Sequence, residues 1–228
     1  MKISILTLFP EMFVGPFSQS IIKRAQEKNL VEITFVNIRD FGIGSHKSVD
    51  DKPYGGGTGM VLRVDVVDKA IQFAKGKVSD KGQKVILLDP RGQTFSQKKA
   101  QDFAKLNHLI FVCGHYEGFD ERIRNVVDET ISIGDFVVTG GEIPAMLISD
   151  AVIRLLPGVI TEGATENESF SLTSETKQLL EYPQYTLPQA YHGEEVPAVL
   201  LSGNHNEIAK WRKQEAIKLT QKHRPDLL

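Results

Sequence analysis

The 228-residue sequence is poor in several things that would mark a particular class of protein. Its one cysteine, Cys113, excludes an internal disulfide and any multi-cysteine zinc site, and fits a reducing, cytoplasmic setting with the thiol buried in a strand. No apolar run approaches the eighteen or so residues of a membrane span. The run Ile3–Phe9 is too short for a secretory core and stops at Pro10. Net charge is only -2, from 27 basic and 29 acidic residues, so a nucleic-acid surface must arise from local clustering. There is no GxGxxG after a strand and no glycine loop ending in Lys-Ser/Thr. The common dinucleotide and P-loop fingerprints are therefore absent, which argues against an ordinary dinucleotide oxidoreductase.

What is present is alternation. Strand-like apolar runs fall at Ile3–Leu8, Val31–Ile38, Val85–Leu88, Leu109–Cys113 and Thr130–Ile133. Helix-period stretches fall at Ser18–Lys28, Val64–Lys75, Ser96–Leu106, Asp120–Val127 and Glu142–Leu156, with Ser96 placed as an N-cap. This pattern predicts an α/β domain with a mostly parallel sheet over 1–160. From Thr161 to Thr176 the composition turns to Glu, Gly, Ser, Thr and Asn with no basic residue, which reads as a flexible linker. Residues 177–228 then form a small C-terminal domain, loop-rich around Pro183, Pro188 and Pro197 and ending in a helix from about Asn206 to His223.

Glycine marks the candidate sites. In DDKPYGGGTGM, Asp50–Met60, four of the five residues Gly55–Gly59 are glycine, so the loop is either a ligand contact or a mobile turn. Three further loops, Leu87–Gly92, Gly114–Asp120 and Ile133–Glu142, follow predicted strands, where ligands of α/β sheets gather. Gly114, Gly118, Gly134, Gly140 and Gly141 would let backbone approach a flat, polar ligand, although turn geometry explains each one alone. On the Glu142–Leu156 helix, Ile143, Leu147, Asp150 and Arg154 project in nearly one direction. Asp150 and Arg154 either pair with each other, or Arg154 is presented to a substrate. The last helix carries six basic residues, among them Lys210 and Arg212, against Glu207 and Glu215. With Trp211 among them it suits an RNA backbone and a stacking contact, or a solvated helix with the indole packed inward.

Taken in order, LFPEMF (Leu8–Phe13), YGGG-GM (Tyr54–Met60), CGHYEGFDER (Cys113–Arg122), SIGDFVVTGGEIPAM (Ser132–Met146), GNHNEIAKWR (Gly203–Arg212) and RPDLL (Arg224–Leu228) resemble the bacterial tRNA (guanine-N1)-methyltransferases. The resemblance runs from the first strand to the last residue. It implies a deep trefoil-knotted methyltransferase domain with a small helical C-terminal domain, an exception to the usual rule against knots. It implies methyl transfer from S-adenosylmethionine to N1 of the guanosine 3′ to the anticodon, which supports reading-frame maintenance. A homodimer, tRNA as partner and a magnesium requirement come with it.

By the same resemblance the cofactor is held by Leu87, Leu88, Asp89 and Pro90, by Gly114, Tyr116, Glu117 and Gly118, and by Ser132, Ile133, Gly134, Asp135, Phe136, Val137, Val138, Gly140, Gly141 and Pro144. Glu117 matches a family carboxylate near the methyl donor, where negative charge complements a sulfonium. The tRNA contacts fall on Asp50, Tyr54, Gly55, Gly56, Gly57, Gly59, Met60, Ser169, Lys210 and Arg212. The family's Asp-Ser pair and helix arginine match Glu168-Ser169 and Arg154, which makes Glu168 the expected general base and Arg154 the cation stabilising O6. Glu168 is one methylene longer than the family aspartate, which leaves Glu166 as an alternative base, and Thr58 stands where the family loop has proline. Two other activities stay open at this stage: ribose 2′-hydroxyl methylation by a related knotted enzyme, and RNA binding without catalysis.

Overall fold

Five short stretches rich in β-branched and large apolar residues become the strands of one sheet: β1 (Lys2–Thr7), β2 (Glu32–Asn37), β3 (Gln83–Thr94), β4 (His108–Cys113) and β5 (Glu129–Ser132). The computed structural model describes residues 1–76, 82–174 and 177–228. All four pairings are parallel, in the order β2-β1-β4-β3-β5, with Lys2 opposite both Glu32 and His108. A parallel sheet is covered on both faces, so its strands read as continuous apolar runs. All six residues of β4 are buried, and its side chains alternate between two cores.

Leu109, Phe111 and Cys113 join Ile3, Ile5, Ile86 and Leu88 on one face. That face is covered by α1 (Ser20–Glu27), α3 (Gln97–Phe103) and α4 (Glu142–Ile153), through residues such as Ile22, Phe103, Ile148 and Val152. Ile110 and Val112 join Leu6, Val36, Val85 and Leu87 on the other, under Val66, Val67, Ala70 and Ile71 of α2 (Val64–Lys75). Ser96 caps α3 as its sequence position predicts, its hydroxyl accepting from Lys99 N–H. Such a cap contributes about 1 kcal/mol.

Two local features depart from the sequence reading. The stretch predicted as a helix over Asp120–Val127 is a single 3-10 turn, Glu121–Asn125, because only Ile123 is buried there and the Asp120 carboxylate ties the turn to Arg122 N–H. The third strand runs well past Leu88: Leu88 and Gln93 both stand opposite Ile131, so residues 89–92 are extruded from the ladder. A Cβ on Gly92 would lie 2.5 Å from Ile131 N, and only glycine lets the two backbones cross there.

The chain divides into two compact units, Met1–Ile160 and Thr161–Leu228. In the second, Phe170 N–H bonds to Leu179 O and Leu179 N–H to Leu172 O, and Glu181 N–H donates to Ser169 Oγ. Glu175 and Thr176, at the end of the segment read as a linker, lie outside the described residues. The long helix α5 (His205–His223) starts at Asn204, whose side chain accepts from Glu207 N–H, and buries Ala216 and Thr220. Thr220 Oγ1 donates to Ala216 O and accepts from Leu180 N–H, which docks the helix on the preceding loop.

Candidate active site

The interruption after Leu88 in β3 and the carboxyl ends of β4 and β5 open into one cleft of about 440 Å³. Its walls are Leu88 with the extruded Asp89–Arg91, the loop Gly114–Phe119, and residues of Ile131–Gly141 with Pro144 from the first turn of α4. Hydrogen bonds weld these loops together: Gly141 N–H bonds to Gly114 O at 2.8 Å, and Ser132 Oγ both donates to Gly134 O and accepts from Gly134 N–H. A Cβ on Gly141 would fall 2.6 Å from Cys113 Cα, so the start of α4 lies directly on the end of β4. Gly118 and Gly134 take positive φ, and Tyr116 does too, at +59°, an uncommon conformation for an aromatic residue. Such strain concentrates at ligand sites.

Fifteen of the residues assigned to the cofactor by resemblance line this cleft. Three do not. Leu87 is fully buried in the core on the opposite face from Leu88, the direct result of the two-residue strand period. Gly134 and Asp135 form the turn behind Phe136 rather than the wall. The cleft is also lined by Arg91, His115, Phe119, Ile131 and Thr139, which the sequence reading missed. Arg91 lies in the loop Leu87–Gly92 and His115 in the motif segment Cys113–Arg122, so both fall within stretches the sequence singled out.

Asp89, nearly buried, accepts from the backbone N–H, Nε and Nη2 of Arg91 at 2.8–3.0 Å. Arg124 Nη2 lies 3.2 Å from Asp89 Oδ2, close enough for charge attraction but misaligned for a hydrogen bond. Burial alone would push the Asp89 carboxyl up; the Arg91 hydrogen bonds and the two guanidinium charges outweigh it and hold it below the usual carboxylate range. Arg91 also reaches Glu121 at 2.9 Å, and its own guanidinium is held still more firmly protonated. The extruded loop is thus pinned by an ion network at the cleft edge.

The glycine loop stands against the same wall. Asp50–Asp51 pairs antiparallel with Val61–Leu62, and the turn between them carries Gly55, Gly56, Gly57 and Gly59, all at positive φ, with Tyr54 fully exposed. Glu117 N–H donates to Met60 O and Leu62 N–H to Gly118 O, so this hairpin and the Gly114–Phe119 loop form one surface. Glu117, exposed at the cleft, packs its side chain over Gly59.

Arg154 follows α4 as its C-cap and is half-buried, in line with Ile143, Leu147 and Asp150, which are exposed. Glu166, Glu168 and Ser169 belong to the second unit. Glu168 O accepts from Ser171 and Leu172 N–H, and Ser169 is engaged by Glu181, as above. On α5, Lys210 pairs with Glu207 at 2.9 Å, while the Arg212 guanidinium sits 4.8 Å over the Tyr182 ring. Trp211 is 6.3 Å from Tyr185, so the indole belongs to an aromatic group that the basic spacing alone did not reveal.

The first unit is a parallel α/β domain whose strand-end cleft suits a nucleoside-sized ligand, and the second bears a basic helix backed by aromatic rings. The family model for tRNA (Guanine-1)-methyltransferase TrmD matches residues 1–228, and the chain belongs to that family. Three curated relatives carry the name tRNA (guanine-N(1)-)-methyltransferase. The protein of Desulforudis audaxviator is 55% identical over 229 residues, spanning 100% of this chain and 90% of its own length. That of Dictyoglomus turgidum is 52% identical with the same coverage. That of Carboxydothermus hydrogenoformans is 54% identical over 100% of this chain and 87% of its own.

Proposed function

We propose that this chain transfers a methyl group from S-adenosylmethionine to N1 of the guanosine 3′ to the tRNA anticodon. Full-length family membership supports it, and the observation that carries it physically is the strand-end cleft. Its volume falls within the roughly 300–1,000 Å³ of small-molecule sites. The apolar Ile133, Val137, Val138 and Pro144 suit a purine and its ribose, and the polar Asp89, Arg91 and Glu117 suit a charged amino-acid tail. When bound, S-adenosylmethionine supplies an electrophilic methyl group on a sulfonium.

The chain's own residues do the rest. Glu117 offsets the sulfonium charge, and the Asp89–Arg91 pair keeps the extruded loop in shape around the ligand. Guanine N1 is protonated at neutral pH, so a base must remove that proton while a donor offsets charge growing on O6. In this reading Glu168 accepts the N1 proton and the Arg154 guanidinium offsets the O6 charge, with Glu166 as the alternative base. Asp50, Tyr54, the glycine turn and Met60 meet the RNA beside the cleft, and Ser169, Lys210 and Arg212 meet it from the second unit.

The trefoil knot, the homodimer, a linker over 161–176 that closes over the bound tRNA together with the C-terminal domain, and a cytoplasmic site of action complete the proposal. No helix among the described residues is long and apolar enough to cross a membrane. For magnesium, the described residues contain no group of three or more His, Cys, Asp or Glu that could hold an ion.

The test is radiolabelled methyl incorporation into unmodified tRNA transcripts, followed by digestion to nucleosides. The expected product is 1-methylguanosine. Label in a 2′-O-methylated nucleoside, or no label at all, would contradict the proposal.

A further inference from the structure

Behind the cleft wall, a row of polar groups leads to a ring nitrogen that has no hydrogen-bond partner among the described residues. Thr7 Oγ1, fully buried at the end of β1, accepts from Phe9 N–H at 2.9 Å. Its one proton therefore goes to Glu142 Oε1, 2.7 Å away. Glu142 is 2% exposed at the first position of α4, where a helix N-terminus favours a carboxylate. Its second oxygen points toward Gly140: a Cβ on that glycine would overlap Glu142 Oε2 and come within 3.0 Å of His115 Nδ1. The absent side chain of Gly140 thus leaves room between the Glu142 carboxylate and the His115 ring nitrogen.

His115 Nδ1 is buried and has no hydrogen-bond partner among the described residues. Leaving such an atom unsatisfied is costly, so a small approach of the carboxylate is favoured. The ring's plane is already set, by Phe9 at 4.8 Å and by Tyr116 edge-on at 4.9 Å. His115 also lines the cleft. The group facing one imidazole nitrogen decides which nitrogen carries the proton.

We propose that Thr7 and Glu142 are positioning residues which fix the His115 proton on Nδ1 and present Nε2 to the cleft as an acceptor for an N–H of the methyl donor. The inference rests on the reading of the cleft as the S-adenosylmethionine site. The donor carries two such groups, the α-ammonium and the adenine amine.

Nitrogen-15 NMR of histidine-labelled protein without ligand reads the tautomer directly. A protonated Nδ1 and bare Nε2 are expected at neutral pH; the reverse tautomer overturns the relay. In Glu142→Gln the amide can donate to Nδ1, so the proton is expected on Nε2. A purely structural role for Glu142 would move melting and leave the tautomer alone. Thr7→Val should weaken the preference, and Thr7→Ser should restore it.

His115→Phe keeps the ring packing and removes the acceptor, so affinity for S-adenosylhomocysteine by calorimetry should fall about tenfold; affinity equal to wild type overturns the proposal. If 5′-methylthioadenosine, which lacks the ammonium, loses as much, the partner is the adenine amine; if it loses nothing, the partner is the ammonium. Wild-type protein that takes up neither ligand would instead sink the reading of the cleft, a failure the ligand-free ring spectrum tells apart.

Discussion

Gly59 lies beneath the side chain of Glu117: a Cβ at residue 59 would fall 2.5 Å from Glu117 Cγ, and the backbone there has φ +82°. The contact joins the glycine-rich hairpin to the cleft loop, so a change in the hairpin is felt by a carboxylate facing the proposed methyl donor. Gly59→Ala must accept a left-handed conformation, at about 1–3 kcal/mol, and also displace Glu117. Steady-state methylation should show kcat/KM lower by roughly tenfold, the order that such a free-energy cost implies. An unchanged kcat/KM would mean that the hairpin and the cleft act independently.

The proposed base and cation separate binding from chemistry. Glu168→Gln should bind S-adenosylmethionine as wild type does and lose about 10²–10⁴ in single-turnover rate, the usual worth of a positioned proton acceptor. Glu168→Asp, which restores the family's residue, should stay active. Arg154→Ala should lose turnover with its melting temperature retained. If Glu168→Gln keeps its rate and Glu166→Gln loses it, the role passes to Glu166.

Asp89 gives a pH signature to stability. Its carboxyl is held below the usual range in the folded chain, so its contribution is present above the unfolded value of about 3.9 and is lost as pH falls through the lower, folded value. Asp89→Asn should therefore destabilise the protein at neutral pH by about 1–3 kcal/mol. The gap between the two melting curves should close in acid. A gap that persists unchanged to the lowest pH at which both remain folded would assign the effect to packing.

Helix α5 gives a salt signature. If Lys210 and Arg212 meet phosphates, replacing either by alanine should weaken RNA binding for every tRNA sequence tested. The slope of log K against log salt should also flatten by about 0.7–0.9 per lost contact. Arg212 has its ring partner Tyr182, so Tyr182→Leu checks whether the guanidinium must be held flat to bind.

All five core strands were legible because each is a short apolar run in a sheet covered on both faces, where patterning is strongest. The helix Val64–Lys75, with its firm apolar stripe, matches residue for residue, while the others are shorter than their spacing suggests, at Ser20–Glu27, Gln97–Phe103 and Glu142–Ile153. Asp120–Val127 does not match, since charged residues on a short connection can satisfy a helical spacing without a face to bury. Within the cleft, the motif resemblance named segments, while strand alternation decided which members face the ligand, sending Leu87 into the core and Leu88 to the wall. Arg91 and His115 lay within loops the sequence singled out, yet that their side chains line the cleft was not legible. Their places depend on a ladder interruption at Ile131 and on the contact of Gly140 with Glu142, relationships across the fold that no local spacing encodes.

The most direct measurement is calorimetric titration of S-adenosylmethionine into the folded protein and into Gly141→Ala, whose added methyl would press on Cys113 Cα and Gly114 N in the cleft wall. The account predicts saturable binding by the wild type and a loss of at least tenfold in the variant, with circular dichroism showing both folded. A wild type that takes up no S-adenosylmethionine, even with substrate tRNA present, would contradict it.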